Sequence, residues 1–256
     1  MALFTDITER KQTEMRLLEL SDQLKESNNT KDKFFSIVAH DLKSPMNSLL
    51  GFTDLLANDY SEYPDEKRLE FVNLINRSAQ STYKLIENLL EWARFQQGQI
   101  KFLREHLNLR DIINECFEGY ALNAFEKQIE FCNNVSEDLI LNIDRNSLKT
   151  ILRNLISNAL KFCSQGGKIS INANSTMNFI VITIQDTGVG IAKEKIERLF
   201  KIEESVSTTG TRGEKGTGLG LVLCKELTVK NQGKIEVESE LGKGTTFKIT
   251  FPKDDI

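Results

Sequence analysis

The sequence offers few of the residues that build metal centres, disulfide frameworks or membrane spans. It has two histidines and four cysteines (Cys116, Cys132, Cys163, Cys224), with no C-x-x-C pair. That argues against a zinc site and reads as buried free thiols in a reducing, cytoplasmic compartment. No apolar run approaches the ~18 residues of a spanning helix, and no leader-like segment opens the chain, so neither a membrane span nor a signal peptide is expected. A positive net charge is also lacking. The net charge is −4, which does not favour a nucleic-acid partner. There is no G-x-x-x-x-G-K-[ST] string, so a P-loop is excluded.

Length and composition leave room for ordinary globular domains. At 256 residues, 39% hydrophobic and 27% charged, the chain can form two real cores. Its first part is helical in pattern. Leu17, Leu20 and Leu24 recur at 3 and 4, and the rhythm resumes at Phe35, which suggests a coiled coil feeding a longer helix. A helix is expected from about Thr8 to about Asn58, broken by Ser61-Glu-Tyr-Pro64. A second helix is expected from Pro64–Asp65 to Gly98, with Leu69, Val72, Asn76, Ala79, Tyr83, Ile86, Leu90 and Ala93 as its seam and Leu74, Leu85, Leu89 and Trp92 widening the face. Apolar faces this wide cannot be buried in a lone hairpin. Two hairpins in a four-helix bundle would bury them, hence a homodimer.

Within the first helix, Phe35, Val38, Leu42, Met46 and Leu49 form one apolar stripe. At about 100° per residue, His40 lies roughly 160° from its centre and points to solvent. Asp41 follows directly, and Ser44 lies one turn on. A neutral imidazole nitrogen is a nucleophile, and a neighbouring carboxylate can hold the other ring N–H. Pro45 removes the partner of the Asp41 carbonyl, so a bend is expected there.

After Gly98 the periodicity changes. Leu109–Phe125 and Leu148–Phe162 read as helices; Lys168–Ala173, Phe179–Gln185, Lys234–Ser239 and Thr245–Phe251 read as period-2 strands. This mixture predicts an α/β sandwich beginning near Leu103–Leu107. Four stretches in it carry candidate chemistry. In R153-N-L-I-S-N-A-L-K-F162, Asn154 and Asn158 share a face and Lys161 adjoins it; an amide oxygen can ligate Mg²⁺, and a lysine suits phosphate. D186-T-G-V-G-I191 follows an apolar strand and joins a carboxylate to a tight glycine turn. G216-T-G-L-G-L221 opens a helix whose first N–H groups can face phosphate, with G-x-G-x-G spacing rather than the dinucleotide fingerprint. G242-K-G-T-T-F247 opens the last strand. Residues 203–215, rich in Ser, Thr and Gly, read as a mobile lid.

The string F-x-S-I-V-A-H-D-L-K-S-P-M resembles the phosphoacceptor helix of sensor histidine kinases, and the four later stretches resemble the ATP-binding domain shared by those kinases, DNA gyrase, Hsp90 and MutL. The opening F-T-D-I-T-E-R-K-Q resembles the tail of a PAS sensor domain, which implies an upstream sensor. The resemblance implies a linker over 1–30, a dimerisation and phosphotransfer hairpin over 31–102, and an ATP-binding domain over 103–256. The implied fold is a multidomain chain, an all-α hairpin forming a dimeric four-helix bundle followed by an α/β sandwich. It makes His40 the phosphorylated residue, Asp41 its general base, and Ser44 the residue that orients water for dephosphorylating the partner. Ser44 stands where the family more often has Thr or Asn. By the same resemblance Asn158 ligates Mg²⁺, Asn154 supports metal and phosphates, Lys161 contacts phosphate, and Asp186 accepts the adenine amine. Gly188 and Gly190 shape the pocket. Gly216, Gly218 and Gly220 form the lid's phosphate-facing hinge, and Phe200, in I-E-R-L-F, anchors the lid. Phe162, Ile191, Thr217, Leu219 and Leu221 line the site, and Thr245 reaches adenine through water. The implied partners are a response-regulator receiver domain and a second copy of the chain. Two alternatives stay open on the sequence: a dimeric scaffold without kinase activity, and a clamp-type ATPase.

Overall fold

A computed structural model describes residues 2–96, 102–200, 210–211 and 219–253; some side chains within its helices lie outside the description. Residues 201–209 and 212–218 lie outside it, and with them all of the expected lid except Gly210 and Thr211. So do Gly98, Gly216, Thr217 and Gly218. The chain divides into two compact units, Met1–Leu85 and Ile86–Ile256.

The first unit is a helical hairpin. Helix α1 (Ala2–Asn58) runs through Pro45 and ends where expected. A 3₁₀ turn (Tyr60–Glu62) leads to α2 (Asp65–Gln96). Arg68 ties the corner together: its Nε donates to the Tyr60 carbonyl at 2.8 Å, its guanidinium lies 4.1 Å over the Tyr60 ring, and it pairs with Asp65 at 2.7 Å. Phe71 is buried between Phe52, stacked at 5.4 Å, and Tyr63, edge-on at 5.0 Å.

The wide apolar face of α2 separates into two stripes. Phe71, Thr82 and Leu85 are buried, and Leu74 and Leu89 are partly buried. The expected seam faces outward in the single chain. Leu69 is 62% exposed, Val72 50% and Tyr83 65%.

The second unit is an α/β sandwich. Its five-stranded sheet has the order β2 (Glu130–Asn133), β4 (Lys168–Ser175), β5 (Phe179–Asp186), β7 (Gly244–Pro252), β6 (Lys234–Glu240). β2 runs parallel to β4, and the other pairs are antiparallel. A second ribbon pairs β1 (Arg104–Asn108) with β3 (Ile140–Asp144). One face of the main sheet buries Ile169, Ile171, Ile180, Ile182, Ile184, Phe247, Ile249 and Phe251 in a core shared with the helices. Those helices are α3 (Leu109–Glu118), α5 (Arg145–Phe162) and α7 (Leu219–Lys230).

Two local differences from expectation have simple causes. The helix expected over Leu109–Phe125 is two, α3 and α4 (Ala121–Lys127), because the chain turns at Gly119–Tyr120, where the Gly119 N–H donates to the Glu115 carbonyl and the Tyr120 N–H to the Phe117 carbonyl. Of the cysteines, Cys116, Cys163 and Cys224 are buried, but Cys132 is half-buried on β2, its thiol donating to Glu130 Oε1 at 3.1 Å. A short helix α6 (Lys193–Ile196) follows β5. Among the described residues no helix is long and apolar enough to cross a membrane.

Candidate nucleotide site and phosphoacceptor helix

Helix α5 begins at Asp144, whose Oδ1 accepts from the Ser147 N–H at 2.7 Å and hydroxyl at 2.8 Å. Such a cap contributes ~1 kcal/mol. Leu148, Ile151, Leu152, Leu155, Ile156, Ala159 and Leu160 fill its buried face. That fixes the rotation of the helix and leaves Asn154, Asn158 and Lys161 half-buried on the adjoining face. The Asn158 side chain has no hydrogen-bond partner among the described residues. Asn154 does: its Nδ2 donates to the Thr150 carbonyl at 3.0 Å. Its Oδ1 lies against Gly220 on α7, where an added Cβ would come within 2.6 Å of it. A side chain at 220 would therefore have to displace the Asn154 amide. Lys161 Nζ lies 4.6 Å over the Phe162 ring.

Asp186 ends the inward row Ile180, Ile182, Ile184 on β5, so the strand period itself carries the carboxylate to the buried face. It is 5% exposed. Its Oδ1 accepts from the Gly188 N–H at 2.8 Å and the Thr245 N–H at 3.2 Å. Burial raises its pKa above the ordinary 3.8, and those two backbone bonds oppose the shift. The glycine turn then doubles back over α5: the Val189 N–H donates to the Phe162 carbonyl at 3.2 Å. Gly190 has φ +70°, and a Cβ there would sit 2.0 Å from the Glu240 carbonyl oxygen. Only glycine satisfies both conditions. Ile191 is fixed by its N–H, which donates to Ser239 Oγ at 2.8 Å. Phe200 is half-buried against the core, and Leu221 packs there too. Leu219 begins α7, its side chain outside the description.

Three residues were not singled out in the sequence. Ser239 bridges Ile191 to Gly244 and Thr245. Lys127 is 6% exposed; its Nζ donates to the Leu160 carbonyl at 2.9 Å, the Lys161 carbonyl at 3.4 Å and Thr211 Oγ1 at 3.1 Å. Thr211 in turn donates to the Lys161 and Cys163 carbonyls at 3.1 Å each. Ser239 and Lys127 are isolated polar residues outside any glycine-rich string, and Thr211 is one hydroxyl among several in the Ser-, Thr- and Gly-rich segment 203–215, so no local pattern marks them.

In the helical unit, α1 carries His40, Asp41 and Ser44. Asp41 and Ser44 are half-buried; the side chain of His40, including its expected outward orientation, lies outside the description.

An amide-bearing helix and a buried carboxylate under a glycine turn, on one face of a mixed sheet, define an ATPase-like nucleotide-binding domain, joined here to a helical hairpin. The family described as histidine kinase-, DNA gyrase B-, and HSP90-like ATPase matches residues 143–255. The His Kinase A (phospho-acceptor) domain matches residues 30–98. The chain belongs to the sensor histidine kinases. An uncharacterized sensor-like histidine kinase of Rhizobium meliloti is 30% identical over 251 residues, covering 97% of this chain and 48% of that protein. The cell-division control histidine kinase PdhS of Brucella suis is 27% identical over 262 residues, covering 98% of this chain and 25% of PdhS. The chain thus spans half or less of the length of these curated relatives. Histidine kinase ThkA, solved in complex with the response regulator protein TrrA, shares the fold with a TM-score of 0.73 at 23% identity over 90% of this chain and 64% of ThkA.

Proposed function

We propose that the chain is the kinase core of a two-component sensor: it binds ATP in its α/β domain, phosphorylates His40, and passes the phosphoryl group to an aspartate of a response-regulator receiver domain. The observation that carries this reading is the joint presence of a His-Asp pair on a phosphoacceptor helix and a nucleotide site built around Asp186 and Asn158. Residues 31–102 serve as dimerisation and phosphotransfer domain and 103–256 as catalytic domain, with 1–30 linking to an upstream PAS-type sensor.

The chemistry follows from the side chains. A nitrogen of neutral His40 attacks the γ-phosphorus; the new N–P bond forms as the bond from phosphorus to the β–γ bridging oxygen breaks and ADP leaves. Asp41 holds the other ring N–H and stabilises the positive charge that develops on the ring. Asp186 receives the adenine amine, and Lys161 and the first N–H groups of α7 meet the phosphates. Phosphoryl transfer depends mostly on such positioning. Asn158 suits Mg²⁺, because its half-buried amide has no protein partner among the described residues and Mg²⁺ commonly takes one or two protein oxygens beside phosphates and waters. A bound Mg²⁺ would neutralise phosphate charge. In the second step the receiver carboxylate attacks phosphorus, the N–P bond breaks, and His40 returns to neutral imidazole. That ThkA was solved with a response regulator supports this partner class. Ser44 sits where it could orient water for the reverse dephosphorylation of the regulator.

Incubation with Mg²⁺ and γ-labelled ATP tests the reading. An acid-labile, base-stable label is expected, and His40→Gln is expected to carry none. A label that survives this substitution would sink the assignment, and steady ATP hydrolysis without label would favour a clamp-type ATPase.

The exposed stripe on α2 supports a homodimer. Val72→Glu places a charge in it and is expected to convert a dimer to monomers in sedimentation equilibrium. A wild-type monomer would contradict this.

A further inference from the structure

Asp186, Thr245 and Ser239 stand side by side on three neighbouring strands. Thr245 on β7 is in register with Asp186 on β5 and with Ser239 on β6. All three side chains lie on the inward face, so a carboxylate and two hydroxyls form one row at the end of the sheet.

The protons in this row can be counted. A serine hydroxyl donates one hydrogen bond and accepts two. Ser239 Oγ lies 2.8 Å from the Gly244 carbonyl oxygen, which can only accept, so the serine proton goes there. The Ile191 N–H, which can only donate, occupies one serine lone pair at 2.8 Å. The remaining contact is to Thr245 Oγ1 at 2.9 Å, and with the serine proton committed the threonine must be the donor. Its only proton is then spent, and Thr245 Oγ1 can offer nothing but lone pairs to a base that meets it directly, without the water that the family resemblance places between them. Beside it, Asp186 uses Oδ1 for two backbone N–H groups, and an ionised carboxylate also only accepts.

We infer that Ser239 is a positioning residue for nucleobase choice: by taking the Thr245 proton it makes the Asp186–Thr245 end of the site an all-acceptor surface that selects an amino-purine over a 6-oxo-purine. This rests on the nucleotide-site reading above. The adenine amine supplies two N–H donors. Hypoxanthine and guanine present a carbonyl oxygen at the same ring position, and a carbonyl facing two acceptors gains no hydrogen bond and meets like partial charge. A site built to hydrogen-bond one group rejects the analogue that lacks it. Ser239 also holds Ile191, so the row and the D-x-G-x-G turn are locked by one hydroxyl.

The test compares ATP and ITP binding to the full chain, wild type against Ser239→Ala. ITP differs from ATP only by the 6-oxo group and its N1–H. In the variant the Thr245 proton has no serine to go to and can turn to the purine oxygen. The wild-type preference for ATP is expected to narrow by about 5- to 10-fold, the worth of one ordinary hydrogen bond. Thr245→Val removes the same oxygen, so Ser239→Ala added to it is expected to change the ATP/ITP ratio no further. If the alanine variant does not fold, Ser239→Cys, a much weaker acceptor of similar shape, is expected to narrow the ratio in the same direction. Equal weakening of both nucleotides in a folded variant means Ser239 merely supports the loop and overturns the inference, as does an unchanged ratio. A wild-type chain that binds neither nucleotide overturns the nucleotide reading and this inference with it; a wild type that binds ATP with an unaltered variant ratio overturns this inference alone.

Discussion

Asp186→Asn should abolish useful ATP affinity while leaving the fold intact or slightly more stable. The amide keeps Oδ1, so the Gly188 and Thr245 N–H groups can retain their acceptor. What changes is the second oxygen, which becomes an NH₂ facing the adenine amine. A hydrogen bond to a charged group is worth about 1.5–3 kcal/mol, and donor against donor adds a penalty, so a loss of about 100-fold or more is expected in ATP titration. The stability effect has a definite sign. Burial raises the Asp186 pKa above 3.8, so the folded state holds this proton more tightly than the unfolded chain. The ionised form is therefore a cost to folding at neutral pH, which the amide removes. The advantage of Asn over Asp in thermal unfolding should be full above the folded pKa and fade as pH falls through it towards 3.8. In the unsubstituted chain, ATP affinity should weaken on acidification at a higher pH than an exposed aspartate would allow. A variant that binds ATP normally would remove Asp186 from the base-binding role. One that binds weakly because it is unfolded would contradict the stability argument.

Lys127→Met is expected to give the largest loss of stability. The ammonium is nearly fully buried at the C-terminus of α5, where the Leu160 and Lys161 carbonyls lie. It is tolerated there because those carbonyls, Thr211 Oγ1 and the negative end of the helix dipole surround it. Methionine fills a similar volume but strands the Leu160 carbonyl and removes a charged donor from the Lys161 carbonyl and from Thr211, which still bond each other. One stranded acceptor and the lost charge-assisted bonds suggest a loss of about 2–4 kcal/mol. For a unit of this size that lowers Tm by about 5–15 °C. Differential scanning calorimetry checks this, and a change under about 2 °C would mean that water or a rearranged Thr211 replaces the amine. Because Thr211 and the end of the nucleotide helix share this one cation, ATP affinity should also fall at temperatures where the variant is folded.

The two effects differ in how visible they were beforehand. Asp186 sits in a D-x-G-x-G string after a strand whose period-2 pattern is local, so its type, its place and its buried face could all be read along the chain. The same is true of α5, where the 3.6-residue period separates a leucine- and isoleucine-rich face from Asn154, Asn158 and Lys161. Strands β1, β2 and β3 were not expected. They are four or five residues long and carry polar residues such as Arg104, Glu130 and Asn142, so too few apolar positions alternate to reveal a period. Pairing with a partner strand, not local pattern, makes them strands. The break between α3 and α4 turns on Gly119, which a window of mostly helix-forming residues concealed.

Local pattern along the chain is enough to reveal the helices and strands that have a clear period, the kinase family, and the candidates for phosphate, adenine and phosphoacceptor chemistry. These are properties of neighbours within about one or two turns, where side-chain spacing is fixed by backbone geometry. Packing between distant segments settles which of the two apolar stripes on α2 is buried within the chain and which is left outward, since both have helical spacing. It also decided that Lys127 would reach the end of α5, 33 residues on, and that Ser239 would stand beside Thr245 and Asp186. Those meetings depend on strand register and on how helices lie across the sheet, and a strand slipped by one residue would turn its side chain in the Asp186–Thr245–Ser239 row to the opposite face.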